Sequence, residues 1–146
     1  MTATPRVTID PAFVEKLILD MAQHGSDGGT GVSRTVYSPE WGDATKRYAR
    51  WCEEVGLTAR IDRVGNVWGR LEGSELGKSI VSGSHIDSQT PGGRYDGILG
   101  ALAALIALKA LKEQFGQPKR TLEALAPLIE ARPLVCAGRA VQKISA

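Results

Sequence analysis

Apolar residues recur at helical spacing in two early stretches, and the period then changes. Asp10-Pro11 pairs a capping residue with proline at a first helical position. Phe13, Leu17, Ile18 and Met21 follow on one face, which predicts an amphipathic helix over residues 11–24. A loop at 25–31 carries glycine at 25, 28, 29 and 31. Ser38-Pro39 repeats the cap-and-proline signal. Trp41, Ala44, Tyr48, Trp51, Cys52 and Val55 form one face of a second helix, with Gly56 as its stop.

Beyond Gly56 the pattern becomes strand-like. Residues 57–62 and 67–71 read as short strands separated by the turn Arg63-Val64-Gly65-Asn66. A polar turn at 72–78 leads to 79–83, a short apolar run expected to be a buried strand. A glycine-rich loop at 91–97 precedes residues 98–115, a helix apolar on more than one side, some of whose surface is expected to stay uncovered. This order predicts an α/β fold with helices packed on a mixed sheet.

Composition narrows the function classes. A chain of 146 residues suits one domain, and 18 Lys and Arg against 16 Asp and Glu leave a net charge of +2. That near-balance argues against a nucleic-acid partner. Cys52 and Cys136 exclude a disulfide scaffold and suit a reducing compartment. The first ten residues contain no apolar core of a secretory signal. The longest apolar stretch, eleven residues before Lys109, is too short for a bilayer, which needs about 20. The expectation is a cytoplasmic protein with no membrane partner.

The chemistry concentrates in Gly83-Ser84-His85-Ile86-Asp87-Ser88 and Gly92-Gly93-Arg94-Tyr95-Asp96-Gly97. His85 falls just past the carboxyl end of an expected strand, where open α/β sheets place ligands. Asp87 is close enough in sequence to accept an imidazole N–H and fix the ring. Asp96 falls at the mouth of the third helix, between glycines that permit close backbone approach. A histidine and a carboxylate on adjacent loops suit a divalent metal. The alternatives are a hydrogen-bonded structural histidine with Asp96 as a helix cap, and an anion cradle at the helix start. The anion reading lacks a Gly-Lys-Ser/Thr ending and a spaced Gly-x-Gly-x-x-Gly. His24 is expected at an exposed helix end, favourable to the dipole.

These two segments resemble the metallo-amidohydrolases that include N-carbamoyl-L-amino-acid hydrolase, allantoate amidohydrolase and β-ureidopropionase, relatives of aminoacylase and carboxypeptidase-type dinuclear metallopeptidases. Three further segments are similar: Gly28-Gly29-Thr30-Gly31-Val32-Ser33-Arg34, Tyr37-Ser38-Pro39-Glu40 and Asp62-Arg63-Val64-Gly65-Asn66. The likeness runs from about Asp10 to Glu123. It implies the amino-terminal part, residues 1–123, of a catalytic domain of dinuclear zinc-hydrolase fold. It further implies His85 and Asp96 as ligands of two divalent ions (zinc, manganese or cobalt), with Asp87 orienting His85. Activated water would then cleave a C–N bond of an N-carbamoyl-L-amino acid or allantoate. An aminoacylase- or dipeptidase-like substrate and a non-catalytic remnant are the competing readings. No substrate-binding residue is assigned.

The likeness fades after Glu123. The family continues there to a glutamate pair, general base then metal ligand. Counted without gaps, Glu130 takes the base position and Ala131 the ligand position. Pro127 and Pro133 suit a central strand poorly, so a solvated surface charge is the favoured reading of Glu130 over the base. Residues 124–146 are expected to be a divergent tail, from a frameshift or truncation, with the family's lid and homodimerisation domain absent. Weak or absent metal binding, and no turnover by the isolated chain, follow from that reading.

Overall fold

The computed structural model describes residues 6–128. The two proline-started helices form where their caps place them. Helix α1 spans Pro11–Gln23, and the Asp10 carboxylate accepts from the Ala12 N–H at 3.0 Å. Helix α2 spans Pro39–Glu54, and Ser38 Oγ accepts from the Trp41 N–H at 3.2 Å. Between them lies β1 (Gly31–Val32). Then come β2 (Thr58–Ile61), β3 (Val67–Leu71), β4 (Ile80–Gly83), β5 (Gly92–Gly93), helix α3 (Ile98–Phe115) and β6 (Leu122–Ala126).

Two sheets result. The larger has the order β2-β3-β6-β4, antiparallel except for the parallel β4–β6 pair. Helix α3 is the crossover that this parallel pair requires. The smaller sheet pairs β1 with β5 antiparallel. Helices α2 and α3 pack on the large sheet and α1 packs on α3. The buried Tyr48 hydroxyl donates to the Ala101 carbonyl at 2.8 Å, joining α2 to α3. Leu17, Met21, Tyr48, Val67, Leu102 and Leu105 lie in one continuous core. Strand β3 alternates as a half-buried strand should, with Val67, Gly69 and Leu71 inward. The mixed α/β architecture is therefore the one expected.

Two local expectations are corrected. The run at 79–83 is not a buried strand: β4 lies at a sheet edge, Ile80 is 49% exposed, and Ser82 and Gly83 are open to solvent. A short apolar run has no period that separates an interior strand from an edge. Strands β1 and β5, four residues of which three are glycine, were not foreseen, because glycine carries no hydropathy pattern. Helix α3 does leave some apolar surface uncovered, as expected, at Leu99 (48% exposed) and Phe115 (50%), while Ile98, Leu102, Leu105, Ile106 and Leu108 are buried. Residues 124–126 of the expected tail belong to β6, while Glu130, Cys136 and the rest of residues 129–146 lie outside the described residues. Among the described residues no helix is long and apolar enough to cross a membrane.

Candidate functional site

The candidate residues sit where the chain leaves β4 and re-enters α3. At the carboxyl end of β4, Gly83 runs beside Leu125 of β6 so closely that a β-carbon there would collide with the Leu125 carbonyl. His85, Ile86, Asp87 and Ser88 follow, all buried. The His85 Nδ1 atom lies 3.0 Å from Asp87 Oδ1 and 3.1 Å from the Asp87 main-chain oxygen. With a carboxylate and a carbonyl as its neighbours, Nδ1 is the protonated nitrogen and donates to them. Nε2 of the neutral ring then carries the free lone pair.

Gly97 completes the pocket around that ring. It has φ +67°, and a β-carbon there would collide with Cε1, Nε2 and Nδ1 of His85. Any other residue would meet both backbone strain and the imidazole. The ring therefore rests against the residue next to Asp96, whose carbonyl accepts from the Ile98 N–H at 2.7 Å as α3 begins. Asp96 itself is exposed. The expected residues thus share one end of the sheet. Among the described residues, no three His, Cys, Asp or Glu side chains are grouped to hold an ion.

The first glycine loop clasps the second. Besides the β1–β5 pairing, the Ser88 N–H donates to the Arg34 carbonyl and the Arg34 N–H to Ser88 Oγ, both at 2.9 Å. The Ser88 hydroxyl also lies 3.0 Å from the Val32 carbonyl. Arg94 Nη2 donates to the Gly29 carbonyl at 3.0 Å. The Arg34 guanidinium is buried, donating from Nε to Ile86 O at 2.6 Å and from Nη1 to Met21 O at 3.0 Å and His24 O at 2.8 Å. Desolvation pulls its pKa down to about 10 against the opposing pull of Asp87, which still leaves it charged at neutral pH.

Sequence reasoning gave Arg34 no role. Its signal was position alone, at the end of a glycine-rich segment. His24 also departs from expectation: it is half-buried, not exposed. Burial, followed by the charge of Arg34, lowers its pKa, so it is a poor partner for a helix dipole.

The second aspartate turn lies at the same end of the sheet. Asp62 Oδ1 accepts from the N–H groups of Val64 and Gly65, both at 3.1 Å, and of Asn66 at 3.0 Å. Its Oδ2 accepts from Asn66 Nδ2 at 2.8 Å and Trp68 Nε1 at 3.2 Å. Asn66 Oδ1 then accepts from the Leu128 N–H at 2.7 Å, fixing the chain as it leaves β6.

No family model matches the chain. Individual proteins do. An allantoate amidohydrolase of Bacillus subtilis is 49% identical over 106 residues, 72% of this chain and 26% of the relative. An N-carbamoyl-L-amino-acid amidohydrolase of a Pseudomonas species is 37% identical over 116 residues, 77% of this chain and 28% of the relative. The crystal structure of a hydantoinase/carbamoylase family amidase from Burkholderia phymatum superimposes with a TM-score of 0.75 at 32% identity, covering 84% of this chain and 30% of that one. The chain spans little more than a quarter of the length of these curated relatives. Over that quarter the sequence identity and the superimposed fold agree, and the chain belongs to the amidohydrolase family of allantoate amidohydrolase and N-carbamoyl-L-amino-acid amidohydrolase.

Proposed function

We propose that this chain supplies part of the active site of a metal-dependent hydrolase that cleaves a C–N bond of a small ureido substrate, an N-carbamoyl-L-amino acid or allantoate. The observation that carries the reading is the His85–Asp87 pairing beside the Asp96-Gly97 helix start. Asp87 holds the proton on Nδ1, which leaves Nε2 as a donor to a divalent ion. Asp96 adds a carboxylate. An imidazole nitrogen and a carboxylate oxygen suit zinc, manganese or cobalt. A divalent ion bound there would lower the pKa of water and draw charge from the substrate carbonyl.

The described residues offer two such ligands, and catalytic zinc sites use three from protein. The remaining ligands and the general base belong to other parts of a complete enzyme in this reading. Glu130 is the one candidate base in this chain, and it lies outside the described residues. The isolated chain is therefore expected to bind metal weakly and to turn nothing over. The family's homodimerisation and its separate lid domain are proposed for the complete enzyme on the same footing.

A chimera tests the function. Residues 6–126 replace the matching quarter of a full-length allantoate amidohydrolase, and ammonia release is assayed from allantoate and N-carbamoyl amino acids. Metal-dependent release from one of them, abolished by H85A, is expected. A folded, metal-loaded chimera inert on both substrates would overturn the reading.

A further inference from the structure

We propose that Arg34 is a positioning residue for the His85–Asp87 pair, holding the peptide between them against the end of α1. Arg34 is the only buried lysine or arginine among the described residues. Burying a guanidinium is costly unless its donors are satisfied. Here three donations go to main-chain oxygens, and their targets are specific. The Met21 and His24 carbonyls lie at the carboxyl end of α1, where the Met21 carbonyl also accepts from the His24 N–H at 3.2 Å. The third target, Ile86 O, belongs to the residue between His85 and Asp87, and its bond is the shortest of the three at 2.6 Å.

The consequence follows from the covalent chain. Fixing the Ile86 carbonyl fixes the plane of the Ile86–Asp87 peptide. The Asp87 main-chain oxygen and carboxylate then stand where both meet His85 Nδ1. The Ser88 N–H to the Arg34 carbonyl and the Arg34 N–H to Ser88 Oγ hold the far side of the same turn. One rigid fork thus sets the loop that aims the imidazole, and its three donations go to main-chain oxygens alone. Lysine, with a single nitrogen, does not span these three acceptors.

The inference deepens the metal reading and rests on it only for its consequence at the ion. The metal-free 146-residue chain is labelled with ¹⁵N, and long-range ¹H–¹⁵N correlations report the imidazole tautomers. The chain has two histidines, so H24Q assigns His85. That substitution leaves the His24 carbonyl in place for Arg34. The wild type is expected to show His85 in the Nδ1–H form. In R34M, with near-UV circular dichroism retained, His85 is expected to become a mixture of tautomers. R34K is expected to recover the wild-type signature in part.

Zinc added to R34M should reach the same His85 shift only at about tenfold higher concentration. A folded R34M with an unchanged His85 signature would overturn the proposal. Where R34M does not fold, the R34K signature decides in the same way. Loss of fold in both variants would assign Arg34 to the core alone and equally overturn it. Failure of zinc to reach His85 in the wild type would instead strike the metal reading and leave the tautomer result standing.

Discussion

Two aspartates at one end of the sheet do different work with the same chemistry. Asp62 spends its carboxylate on its own turn, taking five donors from residues 64, 65, 66 and 68. Asp87 gives an oxygen to His85 and thereby frees Nε2 on the far side of the ring. The first arrangement closes a β-hairpin and indirectly fixes Leu128 through Asn66. The second leaves a lone pair for a ligand. What separates the two aspartates is the donor each serves: backbone N–H groups and the Asn66 and Trp68 side chains of its own hairpin in one, a titratable ring in the other.

Substitutions that separate the two turns should divide cleanly. H85A and D96N should have the largest effect, removing zinc binding altogether while cooperative unfolding persists; calorimetric titration measures the first and thermal melting the second. G97A should come next. It adds a β-carbon at φ +67° against the His85 ring, and is expected to cost about 2 kcal/mol or more of stability together with the metal site. Chemical denaturation measures it, and wild-type stability with intact zinc binding would contradict the account. D62A should cost about 1–2 kcal/mol by leaving turn donors unpaired, yet leave the His85 tautomer unchanged.

Acid titration sharpens the same contrast. The Asp62 environment includes desolvation that raises its pKa and hydrogen bonds from Asn66, Trp68 and Val64 that lower it, and the net shift is downward. A carboxylate with a lowered folded pKa stabilises fully above its unfolded value of about 4 and loses that contribution as pH falls through the folded value. Stability measured in that acid range should fall less steeply in D62N than in the wild type. The smallest effect belongs to His24. Burial and the Arg34 charge lower its pKa from the usual 6.5, so its neutral form is favoured by folding. Its contribution is complete above that value and shrinks as pH falls below it; H24Q should flatten this slope.

The elements most legible in the sequence were those with chemical punctuation. Asp10-Pro11 and Ser38-Pro39 marked two helix starts to the residue, and residues 98–115 announced α3 by composition. The pairing of His85 with Asp87 was legible from spacing, because a residue two positions on can curl back to the ring. Other features depend on contacts distant in sequence. Strand β4 looked like an interior strand and lies at an edge, a matter of which strands pair with it. The β1–β5 ribbon is backbone alone. Arg34 has no assigned role until the Ile86, Met21 and His24 carbonyls converge on it from 52, 13 and 10 residues away.

The central claim is that His85 presents Nε2 to a metal because Asp87 holds its other nitrogen. Zinc titration of the wild-type chain, followed by long-range ¹H–¹⁵N correlation of both histidines, tests it directly. The account predicts an Nδ1–H ring at His85 before zinc, a shift at His85 Nε2 as zinc is added in excess, and no matching shift at His24. An Nε2–H ring at His85, or zinc acting on His24 while His85 stays unmoved, would contradict it.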